Sequence, residues 1–176
     1  HCSHMARVLE KMITFNEAFD RLISHEGGYS DDPRDSGNWT GGAPGIGLLK
    51  GTKFGIAASS YGYLDIKNLT LEDAQAIYQR DFWDVCGEAH PAVKFQLFDA
   101  SVNHGRSNAI RFLQRAVKVA DDGEWGVISQ AALNHMDPND VLLRFLAHRL
   151  KFWASLQKFD IYGRGWTNRG AENLLF

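Results

Sequence analysis

The sequence predicts a mainly α-helical protein with a Gly-rich loop or short β segment after its first helix. Apolar residues recur at three- and four-residue spacing through most of the chain, which is the pattern of amphipathic helices. The 176 residues are 44% hydrophobic and 23% charged, a composition typical of a globular chain with a core of its own. Residues 29–53 lack periodicity and are rich in glycine and proline, which predicts a long loop or a pair of short, distorted strands.

Capping patterns predict where the helices of the first half begin. Thr14 and Glu17 have the spacing of a capping box, so a first helix is expected over 15–25, ended by Gly27 and Gly28. Thr70 is the expected N-cap of a second helix, whose apolar face runs from residue 71 to residue 82.

The second half is predicted to be helical throughout its centre. Pro91 is expected at the start of a helix that ends before Gly105, and two shorter helices are expected over 110–117 and 127–135. Asp137 is the expected N-cap of the longest helix, over 138–156. Its apolar residues cover much of its circumference, which predicts a central helix buried on several sides. No element is predicted for the Gly- and Arg-rich tail from Tyr162.

Charge and cysteine content argue against several classes of function. A net charge of −2 lacks the broad basic footprint of a nucleic-acid-binding protein. Cys2 lies in an opening pentapeptide, residues 1–5, that resembles a cloning remnant before a start methionine. Cys86 is then a single thiol, so a disulfide framework or a cysteine zinc site is not expected. The sequence predicts neither a metal nor a cofactor.

No apolar stretch is long enough for a membrane span, and no signal peptide is recognisable in the N-terminal residues.

Two further patterns only partly match known motifs. Residues 45–53 fit neither glycine-rich phosphate-binding motif. His25 and Glu26 begin like a zinc-protease helix, but Tyr29 occupies the position of the second histidine, which excludes that motif.

Glu26 is the strongest candidate for catalysis. The pattern places it in the last turn of the predicted first helix, where the helix dipole disfavours a negative charge by about 0.3–1 kcal/mol. The dipole and partial burial would favour the neutral acid and raise the pKa of Glu26 toward that of a general acid. A solvated glutamate at a frayed helix end is the alternative interpretation.

Two further residues suggest hydrolysis. Asp35 is a carboxylate nine positions after Glu26, and Thr52 stands in a Gly-bounded turn with a hydroxyl suited to orienting water. At Glu26-Gly27-Gly28-Tyr29 and Gly51-Thr52-Lys53-Phe54-Gly55-Ile56 the sequence resembles glycoside hydrolase family 108, a family of lysozyme-like N-acetylmuramidases found among phage endolysins and bacterial proteins, some of them labelled secretion activators. The resemblance covers nearly all of 13–166.

The resemblance implies a two-lobed, lysozyme-like fold with Glu26 as the general acid. The Glu/Asp/Thr trio of phage-type lysozymes would correspond to Glu26, Asp35 and Thr52. The chain departs from compact members of the family by a long Gly-rich insertion between Asp35 and Thr52, which leaves Asp32 as a rival second carboxylate. Whether the configuration is retained or inverted depends on the separation of the two carboxyl groups, which the sequence leaves open.

Aromatic and amide side chains are candidates for substrate contact. Tyr29 and Trp39 lie next to the expected cleft residues, where aromatic rings can stack on sugars, although aromatic residues are more commonly buried. Asn103 and Trp125 are further candidates. Their alternative interpretations are a helix C-cap beside a surface histidine, His104, and a plug in a hydrophobic gap.

The resemblance organises the chain into an N-terminal extension with the cloning remnant over 1–12, a lysozyme-like catalytic lobe over 13–90 and a helical lobe over 91–176. The last resembles a peptidoglycan-binding region, and the two lobes are expected to form one compact unit. The implied substrate is the glycan strand of peptidoglycan, cleaved between N-acetylmuramic acid and N-acetylglucosamine. The enzyme would stay cytoplasmic until its release or export to the cell wall. The alternative is a non-catalytic cell-wall or protein-binding module that serves secretion or assembly.

Overall fold

A computed structural model describes residues 13–23, 28–84 and 87–175. The described chain is mainly helical with one small antiparallel sheet, so the predicted fold class is confirmed. It divides into two compact units, one spanning Thr14–Asp81 and a second that begins at Phe82.

Among its described residues, the first unit contains three helices and the sheet. In chain order these are α1 (Phe15–Ile23), β1 (Thr52–Lys53), β2 (Ile56–Ala57), α2 (Ala58–Tyr61) and α3 (Leu71–Tyr78), with 3-10 turns at Ser36–Asn38 and Ile66–Asn68. α3 continues into a π-helical turn, Gln79–Trp83.

The predicted capping box at Thr14 and the predicted N-cap at Thr70 are both present, and Thr70 also forms a capping box with Asp73. The backbone N–H of Thr14 donates to Glu17 Oε2 at 2.9 Å, and the N–H of Glu17 donates to Thr14 Oγ1 at 3.3 Å. Thr70 and Asp73 make the same reciprocal bonds at the start of α3. Each box satisfies N–H groups that have no partner within the helix, so local sequence alone determines where these two helices begin.

The sheet is a hairpin with a two-residue turn. Thr52 pairs with Ala57 and Lys53 with Ile56, so Phe54 and Gly55 form the turn. Both have positive φ, 51° and 75°, as a type I′ turn requires. Phenylalanine is unusual in this conformation. The hydroxyl of Tyr78 donates to the Phe54 carbonyl at 3.0 Å, which ties the turn to α3.

The Gly-rich segment 37–51 is a loop closed by hydrogen bonds. Trp39 forms an isolated antiparallel bridge with Leu49, and Thr40 N donates to the Leu48 carbonyl at 3.0 Å. At its base, Lys50 N and Gly51 N both donate to the carbonyl of Asn38. Its glycine density and missing periodicity predict a mobile segment at the rim of the cleft, and this motion stays a prediction.

The described part of the second unit contains five helices. These are α4 (Pro91–His104), α5 (Arg106–Ala116), α6 (Val127–Asn134), α7 (Pro138–Ser155) and α8 (Phe159–Leu175). α4 starts with Pro91 and is followed by Gly105 at φ 81°, and Asp137 caps α7 by accepting from Asn139 N at 2.9 Å. The predicted starts of both helices are therefore confirmed.

The core of this unit is an apolar cluster shared by four helices and their connections. Its buried members are Val93, Leu97, Ala100, Ala109, Phe112, Leu113, Ala116, Val117, Leu133, Val141 and Phe145. Full burial of one Leu or Phe side chain contributes about 1.5–3 kcal/mol, so this cluster stabilises the unit.

One expectation about the last helices is wrong. α7 buries a single stripe, Val141, Phe145, Arg149 and Trp153, while Leu143 and Leu150 are 66% and 40% exposed. It is therefore not buried on several sides. The tail without a predicted element forms α8. Its glycines allow close packing: a Cβ at Gly170 would lie 3.1 Å from the Trp153 ring.

Candidate functional site

The expected site residues fall in both units, and one lies outside the described residues. Asp32, Asp35 and Thr52 belong to the first unit. Glu26 lies within 24–27, outside the described residues, as does Cys86. Hydrolysis needs the acid and the water-positioning group on one substrate, so we expect Glu26 and Thr52 to face the same cleft, and this stays a prediction.

Thr52 is joined to the strand-like residues that follow the Glu-Gly-Gly-Tyr element. Ser30 N donates to the Thr52 carbonyl at 2.9 Å, and Thr52 N donates to the Ser30 carbonyl at 2.8 Å. Ser30 comes four positions after Glu26. Long-range backbone pairing therefore holds Thr52 next to Ser30, in the segment that follows Glu26, the expected general acid.

The Thr52 hydroxyl has a defined partner. Its Oγ1 donates to Asn38 Oδ1 at 2.7 Å, and Asn38 is completely buried. The carbonyl of Asp35 accepts from Asn38 N at 3.2 Å. Asn38 is thus hydrogen-bonded to Thr52 and to Asp35, two of the three residues expected in the catalytic trio.

Sequence reasoning missed Asn38. An asparagine in a Gly-rich loop is an ordinary turn residue, and no local spacing connects it to a threonine fourteen positions later. The only indication in the sequence is its position at the start of the insertion. Its role depends on burial, which the loop composition does not predict.

Asp35 is an exposed carboxylate that caps the 3-10 turn Ser36–Asn38. Its Oδ1 accepts from Gly37 N at 2.8 Å. This bond orients the carboxyl group at the entrance of the loop that leads to Asn38.

Asp32, the rival carboxylate, is paired with Arg34. Arg34 Nη2 donates to Asp32 Oδ2 at 2.7 Å, and Arg34 Nε donates to Oδ1 at 3.0 Å. These side-chain hydrogen bonds, followed by one from the Arg34 backbone, hold the pKa of Asp32 below its usual value. Asp32 is therefore anionic and engaged through both oxygens, whereas the carboxylate of Asp35 accepts from the backbone N–H of Gly37.

Tyr29 packs against Gly51 and closes the base of the loop. Its hydroxyl donates to the Lys50 carbonyl at 3.3 Å. Burial, followed by the charges of Asp31 and Asp65, raises the pKa of Tyr29. Gly51 has φ +82°, and a Cβ there would lie 2.6 Å from the Ser30 carbonyl and from the Tyr29 ring. Only glycine allows this approach.

Trp39 is half-buried on the same loop. Its indole Nε1 donates to the Pro33 carbonyl at 2.9 Å, so the polar edge of the ring is engaged. Contact of Trp39 or Tyr29 with substrate stays a prediction.

The other two expected substrate contacts lie in the second unit. Asn103 is exposed, and its Nδ2 donates to the Asp99 carbonyl one turn earlier in α4 at 2.7 Å. Trp125 is half-buried, and its Nε1 donates to Gln130 Oε1 at 3.1 Å. Both side chains therefore make local bonds, and their contact with substrate stays a prediction.

A buried polar network lies beside Asn103. His104 Nε2 accepts from Arg149 Nε at 3.2 Å and from Trp153 Nε1 at 3.1 Å. Burial, and next the charge of Arg149, lower the pKa of His104 to about 4. The ring is therefore neutral at pH 7, with its proton on Nδ1 because both bonds arrive at Nε2. His104 is a structural acceptor in this unit and not the surface residue of the alternative interpretation.

Within the described ranges, no group of three His, Cys, Asp or Glu side chains is arranged to hold a metal ion. Among those same residues, no helix is long and apolar enough to cross a membrane.

Comparison with known proteins gives a match to a protein family and matches to solved structures. Residues 19–105 match the family described as Glycosyl hydrolase 108. The structure of SagA from Brucella abortus is similar with a TM-score of 0.74 and 27% sequence identity, over 90% of this chain and 90% of that one. No curated protein matches the sequence. The segment matched by the family contains Glu26, Asp35 and Thr52, and these findings confirm the resemblance and the lysozyme-like fold class.

Proposed function

Since residues 19–105 place the chain in the glycosyl hydrolase 108 family, we propose that the protein is an N-acetylmuramidase of peptidoglycan. The bond cleaved is the β-1,4 linkage from N-acetylmuramic acid to N-acetylglucosamine. The observation that carries the proposal is the family match across Glu26, Asp35 and Thr52. The geometry of Thr52 and Asp35 around Asn38 supports it.

In the proposed reaction Glu26 gives its proton to the glycosidic oxygen, which leaves with the electron pair of the C1–O bond. A water oxygen forms the new bond to C1 and transfers a proton to Asp35. Thr52 accepts a hydrogen bond from that water. Asp35 then returns its proton through solvent, and Glu26 is reprotonated, so no group is consumed.

Asp35 suits the role of base better than Asp32. The bidentate pair with Arg34 occupies both Asp32 oxygens, and its lowered pKa makes Asp32 a weaker base. Asp35 is exposed, and its Oδ1 is bonded to one backbone N–H. A direct displacement by water corresponds to inversion, for which the two carboxyl groups stand about 6.5–9.5 Å apart.

Product analysis tests the proposal directly. Purified cell walls are digested, the products are reduced with borohydride, and the reduced sugar is identified by mass spectrometry. A muramidase leaves N-acetylmuramic acid at every new reducing end, so only its alditol is expected. Reduced N-acetylglucosamine would instead indicate a glucosaminidase.

The matched control is Glu26→Gln, which keeps the size of the side chain and loses the acid. Wild type that binds cell walls without releasing any reducing end would identify the non-catalytic binding module and overturn the proposal.

A further inference from the structure

Asn38 has an unusually complete set of hydrogen bonds for a loop residue. Its side chain is fully buried. Nδ2 donates to the Asp32 carbonyl at 3.0 Å, and Oδ1 accepts from Thr52 Oγ1 at 2.7 Å. Its own carbonyl accepts from Lys50 N at 3.0 Å and Gly51 N at 3.1 Å. The residue therefore links the start of the loop to β1.

These bonds determine which way each group points. The Asp32 carbonyl can only accept, so the amide edge that faces it is the NH₂ group and Oδ1 faces Thr52. A hydroxyl has one proton, and Thr52 gives it to Oδ1. Thr52 Oγ1 then has only its lone pairs left. Toward a ligand or a water molecule, this hydroxyl can therefore only accept a hydrogen bond.

We propose that Asn38 is a positioning residue for hydrolysis, which holds Thr52 in one rotamer and makes its hydroxyl an obligate acceptor for the attacking water. The inference rests on the proposed function. A water that donates one hydrogen to Thr52 is held in place while its lone pair stays directed away from that bond, toward the sugar C1. Asn38 acts through Thr52 and does not itself touch the substrate.

A double-mutant cycle separates positioning from general support of the fold. Asn38→Ala is expected to lower kcat about 10-fold or more, because small misplacement of a positioning group is costly, with little change in KM. In the Thr52→Val background the same change is expected to alter kcat by less than about twofold, since the acceptor is already gone. Equal losses of kcat in both backgrounds would overturn the inference.

Two further variants keep the test valid if Asn38→Ala folds poorly. Asn38→Asp retains an acceptor for Thr52, and burial favours its protonated form, whose O–H can donate to Asp32 O. It is expected to keep most of the kcat, and a loss as large as that of Asn38→Ala would contradict the inference.

Tyr78→Phe removes the bond from α3 to the hairpin turn at Phe54 without touching Thr52. It is the matched control for lost stability, and its kcat is expected to stay unchanged.

A measurement that needs no turnover tests the same contact. Three-bond NMR couplings from Thr52 Cγ2 to its backbone N and C′ report the χ1 angle. We expect a single rotamer in wild type and averaged couplings in Asn38→Ala. Averaged couplings in wild type, or an unchanged single rotamer in the variant, would overturn the inference even if the enzyme cleaves peptidoglycan. If wild type cleaves nothing while the couplings behave as expected, the proposed function fails and the contact between Asn38 and Thr52 stands.

Discussion

Arg149 Nη2 lies 2.6 Å from Asp99 Oδ2, and the two side chains are 0% and 6% exposed. Arg169 contacts the other oxygen, with Nη2 at 2.7 Å from Oδ1. Burial alone would raise the pKa of Asp99, but the charges of the two arginines outweigh it and the pKa is lowered. This ionic cluster joins α4, α7 and α8, and the three helices depend on each other through it.

Asp99→Asn is expected to destabilise the protein by about 3–5 kcal/mol, because it leaves the buried Arg149 without a counter-charge. Arg169→Gln is the matched change, since its side chain is 34% exposed and its removal is expected to cost about 1 kcal/mol or less. Urea unfolding of the three proteins measures both values. A smaller loss for Asp99→Asn than for Arg169→Gln would show that the buried pair is not what holds these helices.

His104 should make stability depend on pH. Its pKa is about 4 in the folded chain, below the ordinary value of 6.5. Between these two pH values the unfolded chain binds a proton at His104 that the folded chain does not bind. The contribution of the neutral His104 to the free energy of unfolding is therefore complete above pH 6.5 and is lost as the pH falls toward 4.

We expect the Tm of wild type to fall over that interval, and His104→Gln, which keeps an acceptor but does not titrate, to fall less. His135→Gln changes an exposed histidine and is the control, with a pH dependence like that of wild type. Thermal unfolding across the interval gives the comparison. Parallel curves for wild type and His104→Gln would remove His104 from this role.

Gly51→Ala is expected to be more destabilising than Gly42→Ala. Both glycines have positive φ, 82° and 73°, which costs an alanine about 1–2 kcal/mol at either position. Only at Gly51 would the added Cβ also collide with the Ser30 carbonyl and the Tyr29 ring; at Gly42 nothing lies within 4 Å. Chemical denaturation gives the two losses, and equal values would mean that the close approach at Gly51 is relieved without cost.

Glu26→Gln is expected to lower the rate of cell-wall hydrolysis by about 100-fold or more, since it removes the acid proton. Its stability should be unchanged or about 0.3–1 kcal/mol higher, because the pattern places this charge at the unfavourable end of the first helix. Reducing-end release and thermal unfolding measure the two effects. Activity within tenfold of wild type in a folded variant would remove Glu26 from the role of acid.

Local sequence was sufficient to predict most helix starts. Thr14 with Glu17, and the N-caps Thr70 and Asp137, act within three or four residues, and their capping bonds form in the structure. Such contacts depend on short-range geometry alone, so a pattern of residues is enough to recognise them. The choice of Thr52 as a candidate came from a motif in the same way.

The tertiary structure decided two features that local patterns do not contain: the partner of Thr52 and the formation of α8. The bond from Thr52 to Asn38 joins residues fourteen positions apart, and it exists because the loop folds back so that its base is buried. The helix α8 forms although its three glycines have low helix propensity, since Gly170 packs against Trp153 and the Asn173 carbonyl accepts from Gln96. By itself the sequence therefore determined the helical class, the helix starts and the candidate catalytic residues. Burial and long-range hydrogen bonding, which depend on the packed chain as a whole, decided which partner orients Thr52 and which surfaces α7 and α8 bury.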